Sequence, residues 1–321
     1  MRKTTLAAAA ALLVATCPTL PHAQPYPAKA IRFVVPFAPG GGTDYLARLI
    51  ALKLSESMGQ PVIIDNRPGG GGTIGADIVA KSPPDGYTLV LGSPGSLSVN
   101  PNLAQTPYDP LRDFTPLSLA TISPFAISAN AALPAGNIRE LIELAKSRPG
   151  TLNYGTSGVG SMGYFAGEHL KMRTGLNAVH VAFKGSAPVS VALMSGEIQL
   201  SWENLPVVLP LARSGKLKVL GIGSPARSAL APELPAIAET VPGFEAITAF
   251  GVLGPAKMPA AIVKRLNDEL VKALKEPKVS ELLASRGMQS SANTPSEYAR
   301  FIQREYHTYG EIIRKTGIKA E

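Results

Sequence analysis

Short apolar runs alternate with longer stretches of helical spacing through most of the chain. Residues 31–37 are apolar and rich in β-branched side chains, and residues 43–58 place leucines and isoleucine on one face. A short strand at 61–65, a helix at 73–81 and a strand at 87–92 continue the alternation. This order predicts an α/β fold with mainly parallel sheets and helices on both faces.

A second set of elements then repeats the order. A helix begins after Asn137, with Glu140 placed to complete a capping box. The predicted elements that follow are strand 151–156, helix 163–173, strand 178–183, helix 186–194, strand 197–202, helix 205–213 and strand 216–222. Two successive sets of this kind predict two lobes of similar construction.

The C-terminal part is different. It contains one predicted strand and three helices with proline near each start, at 247–253, 259–274, 277–286 and 295–316. These elements make a poor independent domain, so we expect them to return and cover the first sheet. The expected division is a discontinuous domain 1, residues 24–123 plus 241–321, and an inserted domain 2, residues 124–240. Crossings near 120–125 and 236–244 would form a hinge, with the ligand site in the cleft between the lobes.

The N-terminus predicts export. Arg2 and Lys3 precede an apolar stretch at 6–15, which is shorter than the ~20 residues needed to span a bilayer. We expect a cleavable signal peptide, residues 1–23 ending at Ala23, and a periplasmic mature protein. The alternatives are a buried N-terminal helix and a lipoprotein anchored at Cys17, although Thr16 is a poor residue before such a cysteine.

Composition narrows the chemistry. The chain has 321 residues, 45% hydrophobic and 17% charged, which is typical of a globular protein. Cys17 is the only cysteine, so cleavage after Ala23 would leave no disulfide or thiol. Without Arg2 and Lys3, 29 basic residues remain against 23 acidic ones, with no Lys/Arg-rich run. We therefore expect no nucleic-acid binding, and either a generic basic exported protein or mild steering of anions.

Two glycine-rich turns lie between a predicted strand and a predicted helix, PGGGT at 39–43 and SGVGSMG at 157–163. Free N–H groups at a helix start carry roughly half a positive charge and bind anions. Thr43 and Ser161 can cap a helix or donate to a ligand. The glycines that let the backbone approach a ligand are Gly41, Gly42, Gly158 and Gly160. Facing turns of this kind suit a molecule with a carboxylate at one or both ends.

Other functions fit less well. Residues 33–65 resemble a dinucleotide-binding start ending in Asp65, but the G-x-G-x-x-G match lies at 158–163, in the other half. The chain has no phosphate-binding G-x-x-x-x-G-K-[ST] loop and no G-x-S-x-G. His169, His180 and His307 are not spaced as metal ligands. We expect no catalytic residue, cofactor or metal, although a carboxylate pair across the cleft stays open. Residues 65–67 are expected to be structural and to hold the second glycine cluster, RPGGGG at 67–72.

Several long, collinear segments resemble one family. They read YPAKAIRFVVPFAPGGGTDYLARLIA (26–51), GQPVIIDNRPGGGGTIGADIVAKSPPDGYTL (59–89), NPNLAQTPYDPLRDFTPLSL (100–119), LNYGTSGVGSMGYFAGEHL (152–170), VHVAFKGSAPVSVALMSGEI (179–198), SGKLKVLGIGSPAR (214–227) and PGFE (242–245). The chain is similar to the Bug/TctC family of periplasmic solute-binding receptors, which serve tripartite tricarboxylate transporters.

The resemblance implies a two-lobed periplasmic-binding-protein (Venus flytrap) fold that closes on a small organic carboxylate. The ligand-binding residues expected from the turns and the resemblance are Phe37, Ala38, Gly41, Gly42, Thr43, Asp44, Ser93, Thr156, Ser157, Gly158, Ser161, Lys184 and Glu203. The family usually has Asp where Glu203 stands, which leaves a direct ligand contact open. Because an acid repels a bound carboxylate, Asp44 is expected chiefly to cap its own helix.

The ligand itself is not specified by the sequence. Candidates are citrate-like acids, dicarboxylates, acidic amino acids, nicotinate-like compounds and aromatic dicarboxylates. Tyr164 stands where the family commonly has His and favours a ring-bearing ligand. Trp202 ends a predicted strand near the cleft, so its fluorescence should report binding.

The function expected is that of a monomeric exported receptor, not an enzyme, which hands its ligand to the permease subunits of a tripartite tricarboxylate transporter. A chemosensory receptor on the same fold would use the same site. An exported hydrolase is the third alternative.

Overall fold

The computed structural model describes residues 26–319, so the predicted signal peptide 1–23 and Cys17 lie outside the described residues. The strands are β1 Ile31–Val35, β2 Val62–Asn66, β3 Thr88–Gly92, β4 Phe114–Asn130, β5 Leu152–Thr156, β6 Ala178–Ala182, β7 Leu200–Asn204, β8 Leu217–Ile222, β9 Ile247–Pro255 and β10 Gln289–Ser290. The helices are α1 Gly42–Met58, α2 Thr73–Ala80, α3 Asn100–Leu103, α4 Ile138–Ser147, α5 Met162–Thr174, α6 Ser186–Ser195, α7 Leu205–Arg213, α8 Ala260–Lys275, α9 Pro277–Ala284 and α10 Pro295–Thr316.

The strands form two sheets that share β4. In the first sheet the order is β2-β1-β3-β9-β4, with β10 also against β4, and in the second it is β4-β7-β5-β6, with β8 against β4. The pairs within β1–β3 and within β5–β7 are parallel, whereas the pairs made by β4 and β9 are antiparallel. The predicted α/β class is confirmed, and the sheets are mixed.

Strand β4 connects the two sheets. It pairs with β9 as far as Pro124, opposite Ile247, and from Phe125, opposite Asn204, it pairs with β7. Residues 120–125, expected as a crossing, therefore lie inside one continuous strand. Pro116 and Pro124 argue against a strand in the sequence, because proline lacks the N–H that a ladder needs. The domain limits 24–123, 124–240 and 241–321 stay a prediction.

Helices cover both faces of each sheet. In the first sheet, one face packs Leu46 of α1 and Leu266 of α8, and the other packs Val79 of α2. In the second, α4 and α5 pack on one face and α6 and α7 on the other. Helix α10 contributes Tyr298 to the core of the first sheet and Tyr309 to that of the second. The C-terminal part thus covers both sheets. The sequence had predicted that it would cover the first sheet alone.

Candidate functional site

A small cavity, here called the central cavity, lies where loops from both sheets meet strands β4 and β9. Its volume is about 20 Å³, room for about one water molecule, so a ligand can enter only when the walls separate. Its lining residues are Phe37, Thr43, Ser93, Pro94, Gly95, Phe125, Ser157, Ser161, Met162, Ser186, Asn204, Thr248 and Phe250. The lining combines hydroxyl groups, one side-chain amide and aromatic rings.

Four helices begin at the central cavity. Thr43 and Ser186 lie in the first turns of α1 and α6, Met162 is the first residue of α5, and Asn204 is the N-cap of α7. The first four N–H groups of an α-helix have no partner within the helix. Ser161 caps α5 by accepting from the Tyr164 N–H at 3.2 Å, whereas α1, α6 and α7 have no side-chain cap. The cavity therefore faces several uncapped, partially positive helix ends.

Close contacts join the first glycine turn to the helices of the second sheet. A Cβ placed on Gly185, where φ is +120°, would lie 3.0 Å from the Cβ of Ala38. A Cβ on Gly41 would lie 3.4 Å from the Cβ of Ser186, and one on Gly42 would lie 3.0 Å from Val207 Cγ2. Ala38, Gly41 and Gly42 thus lie against the starts of α6 and α7, outside the lining of the central cavity.

The second glycine cluster, 69–72, makes a similar close contact with the glycine turn 157–163. A Cβ on Gly71, where φ is +61°, would lie 2.7 Å from the carbonyl carbon of Gly160. A Cβ on Gly95 would lie 2.8 Å from the Gly71 carbonyl oxygen. Three backbone segments therefore meet at distances that only glycine allows, and the sequence did not predict this contact between the two halves.

Residues 65–67 link the end of β2 to β1 and to the first glycine turn. Arg32 and Arg67 pair with the two carboxyl oxygens of Asp65, and the Arg67 N–H donates to the Val35 carbonyl at 2.8 Å. Asn66 Nδ2 donates to the Phe37 carbonyl and to Asp44 Oδ1, each at 3.0 Å. Asn66 thus holds the first glycine turn and Arg67 is tied to β1, and the expected hold on the second glycine cluster stays a prediction.

Asp44 organises the first glycine turn and does not line the central cavity. Its Oδ2 accepts from the Gly40 N–H at 3.1 Å and from Arg48 Nε at 2.8 Å. Burial alone would raise the pKa of Asp44, but hydrogen bonds from Arg48, Gly40 and Asn66 outweigh it and hold the pKa below its usual value. The ionised carboxylate ties the turn to α1, and a direct ligand contact stays a prediction.

Glu203 is buried beside the cavity. Only 1% of the residue is exposed, and neither carboxyl oxygen makes a hydrogen bond of normal geometry within the described residues. Burial raises the pKa of Glu203 to about 8, and the nearby Ser186 side chain and Asn204 backbone lower it only partly. Glu203 is therefore mostly protonated at neutral pH and places little negative charge near a bound anion.

The predicted residues fall into two groups. Five line the central cavity: Phe37, Thr43, Ser93, Ser157 and Ser161. Of the others, Ala38, Gly41, Gly42, Asp44 and Glu203 have the positions given above. Thr156 is buried and shares a hydrogen bond of 2.8 Å with His180 Nε2, and its Oγ1 accepts from the Gly158 N–H at 3.2 Å. Lys184 is exposed and does not line the cavity.

Several lining residues were missed in the sequence. They are Pro94, Gly95, Phe125, Met162, Ser186, Asn204, Thr248 and Phe250. Asn204 has a detectable signal, because Asn followed by Leu-Pro marks a helix N-terminus. Phe125 and Phe250 lie in strands whose orientation the sequence does not reveal. Tyr164 does not line the cavity: its hydroxyl donates to the Lys319 carbonyl at 2.6 Å.

Trp202 also packs away from the cavity lining. Its ring lies 5.9 Å from that of Phe244, inside the core of the second sheet. Its expected fluorescence response to ligand stays a prediction.

Other features of the described chain offer less. An open cleft between α1 and α8 is lined by charged side chains such as Lys53, Glu56 and Glu276, which pair with one another at the surface. Residues 26–319 contain no cluster of side chains able to hold a metal ion. Within the same residues, no helix has both the length and the hydrophobicity for a membrane crossing.

Comparison with known proteins gives one consistent picture. Residues 46–318 match the model of the tripartite tricarboxylate transporter family receptor, TctC. Protein BugT of Bordetella pertussis is 37% identical over 303 residues, which cover 92% of each chain. A structure of a periplasmic transporter is 38% identical with a TM-score of 0.89, covering 92% of this chain and 100% of that one.

Two further solved structures hold ligands. An R. palustris protein with adipate is 37% identical with a TM-score of 0.88, covering 92% of this chain and 99% of that one. MatC from Rhodopseudomonas palustris with bound malate is 31% identical with a TM-score of 0.86, covering 90% and 100%.

Proposed function

The chain belongs to the tripartite tricarboxylate transporter receptor family, TctC, and from this premise we propose that it captures a small organic carboxylate in the central cavity. We further propose that it delivers this ligand to the membrane permease of such a transporter. Family and structural neighbours are periplasmic binding proteins, which supports a periplasmic location after removal of residues 1–23.

The proposal rests on one observation. Four helix N-termini converge on a cavity whose lining has no ionised side chain within the described residues. Each terminus supplies about half a positive charge. A carboxylate would accept from the uncapped N–H groups of α1, α6 and α7 and from neighbouring hydroxyls. These groups suit a compact anion without the counter-charge of lysine or arginine.

The relatives support the same ligand chemistry. Adipate and malate, bound in two of the structures, are both small carboxylates. The binding residues that we assign are the cavity-lining members of the predicted set, together with Ser186 and Asn204. We assign no cofactor and no catalytic group.

Release and capture would occur by separation of the two sheets with their helices, as domain 1 and domain 2. The contacts of Ala38 with Gly185 and of Gly71 with Gly160 would then break on opening. The shared strand β4 is the natural hinge, because it continues from the first sheet into the second. Since one chain supplies all the lining residues, we propose that a monomer suffices.

A thermal-shift screen of small carboxylates on the chain from residue 24 tests this function. A ligand at 100 times its dissociation constant stabilises the folded state by about 2.7 kcal/mol. The uncharged carboxamide of each hit is the matched control and should give no shift. If no carboxylate raises the melting temperature, the proposed function is wrong.

A further inference from the structure

Glu203 lies just outside the lining of the central cavity. Asn204, which follows it in β7, lines the cavity, and so does Ser186, whose side chain is near enough to Glu203 to affect its ionisation. Only 1% of Glu203 is exposed, and neither carboxyl oxygen has a hydrogen-bond partner of normal geometry within the described residues. A buried titratable group with unused hydrogen-bonding capacity therefore adjoins the proposed ligand position.

The elements of the second sheet supply no cation to Glu203. Its partner across the β4–β7 pair is Ala126, which belongs to the core under α6 and α7, so Glu203 projects to that face. Strand β4 and helix α6 contain no titratable residue, and α7 contains only Arg213, which pairs with Glu233 at 3.4 Å near the surface. Strand β5 and helix α5 contribute titratable residues to the opposite face, where the core contains Trp202; these residues are Tyr154, Tyr164, Glu168, His169, Lys171 and Arg173.

Charged side chains from the first sheet and the nearby loops are engaged elsewhere or exposed. Asp44 and Arg48 of α1, which begins against α6 and α7, pair with each other at 2.8 Å. Arg286, in the loop after α9, stacks on Tyr45 at 3.9 Å. Lys184, in the loop before α6, is exposed. An ionised carboxyl at the buried position would thus lack a counter-charge, which is strongly disfavoured.

The protonation of Glu203 controls the charge beside the cavity and the direction of the Ser186 hydroxyl. Burial raises the pKa of Glu203 to about 8. The protonated carboxyl has an O–H that can donate to Ser186 Oγ, which leaves the Ser186 hydroxyl free to donate to a ligand. An ionised carboxyl only accepts, so it would draw the Ser186 hydroxyl away from the ligand.

An ionised Glu203 would also repel the ligand directly. A carboxylate bound to Ser186 would lie roughly 6 Å from the Glu203 carboxyl, which is about the length of two successive hydrogen bonds. At an effective dielectric constant of about 20, two negative charges at this distance weaken binding about a hundredfold.

We infer that the protein captures its carboxylate ligand together with one proton, held on Glu203, and that loss of this proton favours release of the ligand. This inference rests on the proposed function and adds a proton to it. Because the bound anion in turn favours the protonated carboxyl, ligand and proton bind cooperatively. The affinity for a carboxylate is then greatest below pH 8 and falls as the pH rises through this value.

Titration calorimetry on the chain from residue 24 at pH 7 and at pH 9 tests the inference. The probe is the tightest binder at pH 7 among succinate, benzoate and cyclohexanecarboxylate, which are ionised throughout this range. One pH unit above its pKa, about one tenth of Glu203 keeps its proton, so the probe should bind about tenfold more weakly at pH 9 than at pH 7.

Proton uptake provides a second measurement. Calorimetry at pH 8 in two buffers of different ionisation enthalpy should show uptake of about half a proton for each ligand bound, and uptake close to zero at pH 6. The substitution Glu203→Gln should remove both the uptake and the pH dependence of affinity. The control Glu281→Gln, at an exposed position on α9, should retain both. A purely structural Glu203 would change stability without coupling protons to binding.

Equal affinity at pH 7 and pH 9, or binding at pH 8 without proton uptake, would overturn the inference while leaving carboxylate capture intact. Uptake that persists in folded Glu203→Gln would overturn the assignment of the proton to Glu203. If this variant does not fold, the affinities and proton uptake of the unaltered protein decide alone. Failure of these probes and of every other small carboxylate to bind at pH 7 would instead refute the proposed function.

Discussion

The buried carboxyl of Glu203 makes the stability of the protein depend on pH in a defined direction. Replacing it as Glu203→Gln keeps the size of the side chain and removes the titration. Burial raises the pKa of Glu203 in the folded state to about 8, against 4.5 for an unperturbed glutamate. The folded protein therefore holds a proton that the unfolded chain has lost over the range between these values.

The sign follows from this difference. Below pH 4.5 both states are protonated and the carboxyl costs no stability through titration. As the pH rises toward 8, the unfolded chain ionises freely while the folded chain must keep its proton, so the unaltered protein loses stability relative to Glu203→Gln. At 1.36 kcal/mol for each pKa unit, the loss approaches about 5 kcal/mol, or about 1.4 kcal/mol for each pH unit.

Denaturant unfolding of ligand-free protein between pH 5 and pH 9 measures this loss. The free energy of unfolding of Glu203→Gln minus that of the unaltered protein should increase by several kcal/mol from pH 5 to pH 8 and then level off. Exposed Glu281 on α9 gives the control Glu281→Gln, whose difference should stay constant. A constant difference for Glu203→Gln as well would refute the assignment of a buried, protonated carboxyl.

Three further predictions concern the site and its closure. Asp44→Asn should lower the free energy of unfolding by about 1–3 kcal/mol, measured with denaturant, because the charged acceptor for Gly40 and Arg48 is lost. It should also weaken carboxylate binding. Unchanged affinity would contradict the role of Asp44 in shaping the turn. Gly71→Ala should weaken carboxylate binding at least about tenfold in calorimetry, because the new Cβ meets Gly160. The control Gly150→Ala, also at positive φ but with open space around it, should not weaken binding. Equal effects of the two substitutions would argue against closure at this contact. Lys184→Ala should change carboxylate affinity by less than about twofold, since Lys184 is exposed and outside the lining; a large loss would show that the cavity extends to this loop.

Local signals in the sequence predicted the helices well. The helices at 205–213 and 295–316 have the predicted limits, since Pro and capping residues fix their starts. Thr294 and Glu297 form the reciprocal capping pair at the start of α10. The glycine turns before α1 and α5 were predicted for the same reason, because a few adjacent residues determine each turn.

Features that depend on distant contacts were not predictable in this way. Strand β4 was not predicted, because Pro116 and Pro124 lie within it. Its register shift near Pro116 is stabilised by pairing with β9, which lies far along the chain. Phe125, Thr248 and Phe250 reach the cavity only because β4 and β9 lie side by side where the two sheets join. The Gly71–Gly160 contact likewise joins segments that no local pattern relates.

Calorimetric titration with cyclohexanecarboxylate and with its carboxamide tests whether the protein captures a carboxylate by its charge, because the two ligands differ mainly in the negative charge. We predict that the acid binds the central cavity and that the amide binds at least about a hundredfold more weakly, since charge-assisted bonds to the helix N–H groups are lost. Equal binding of acid and amide, or no binding of the acid or of any other small carboxylate, would contradict it.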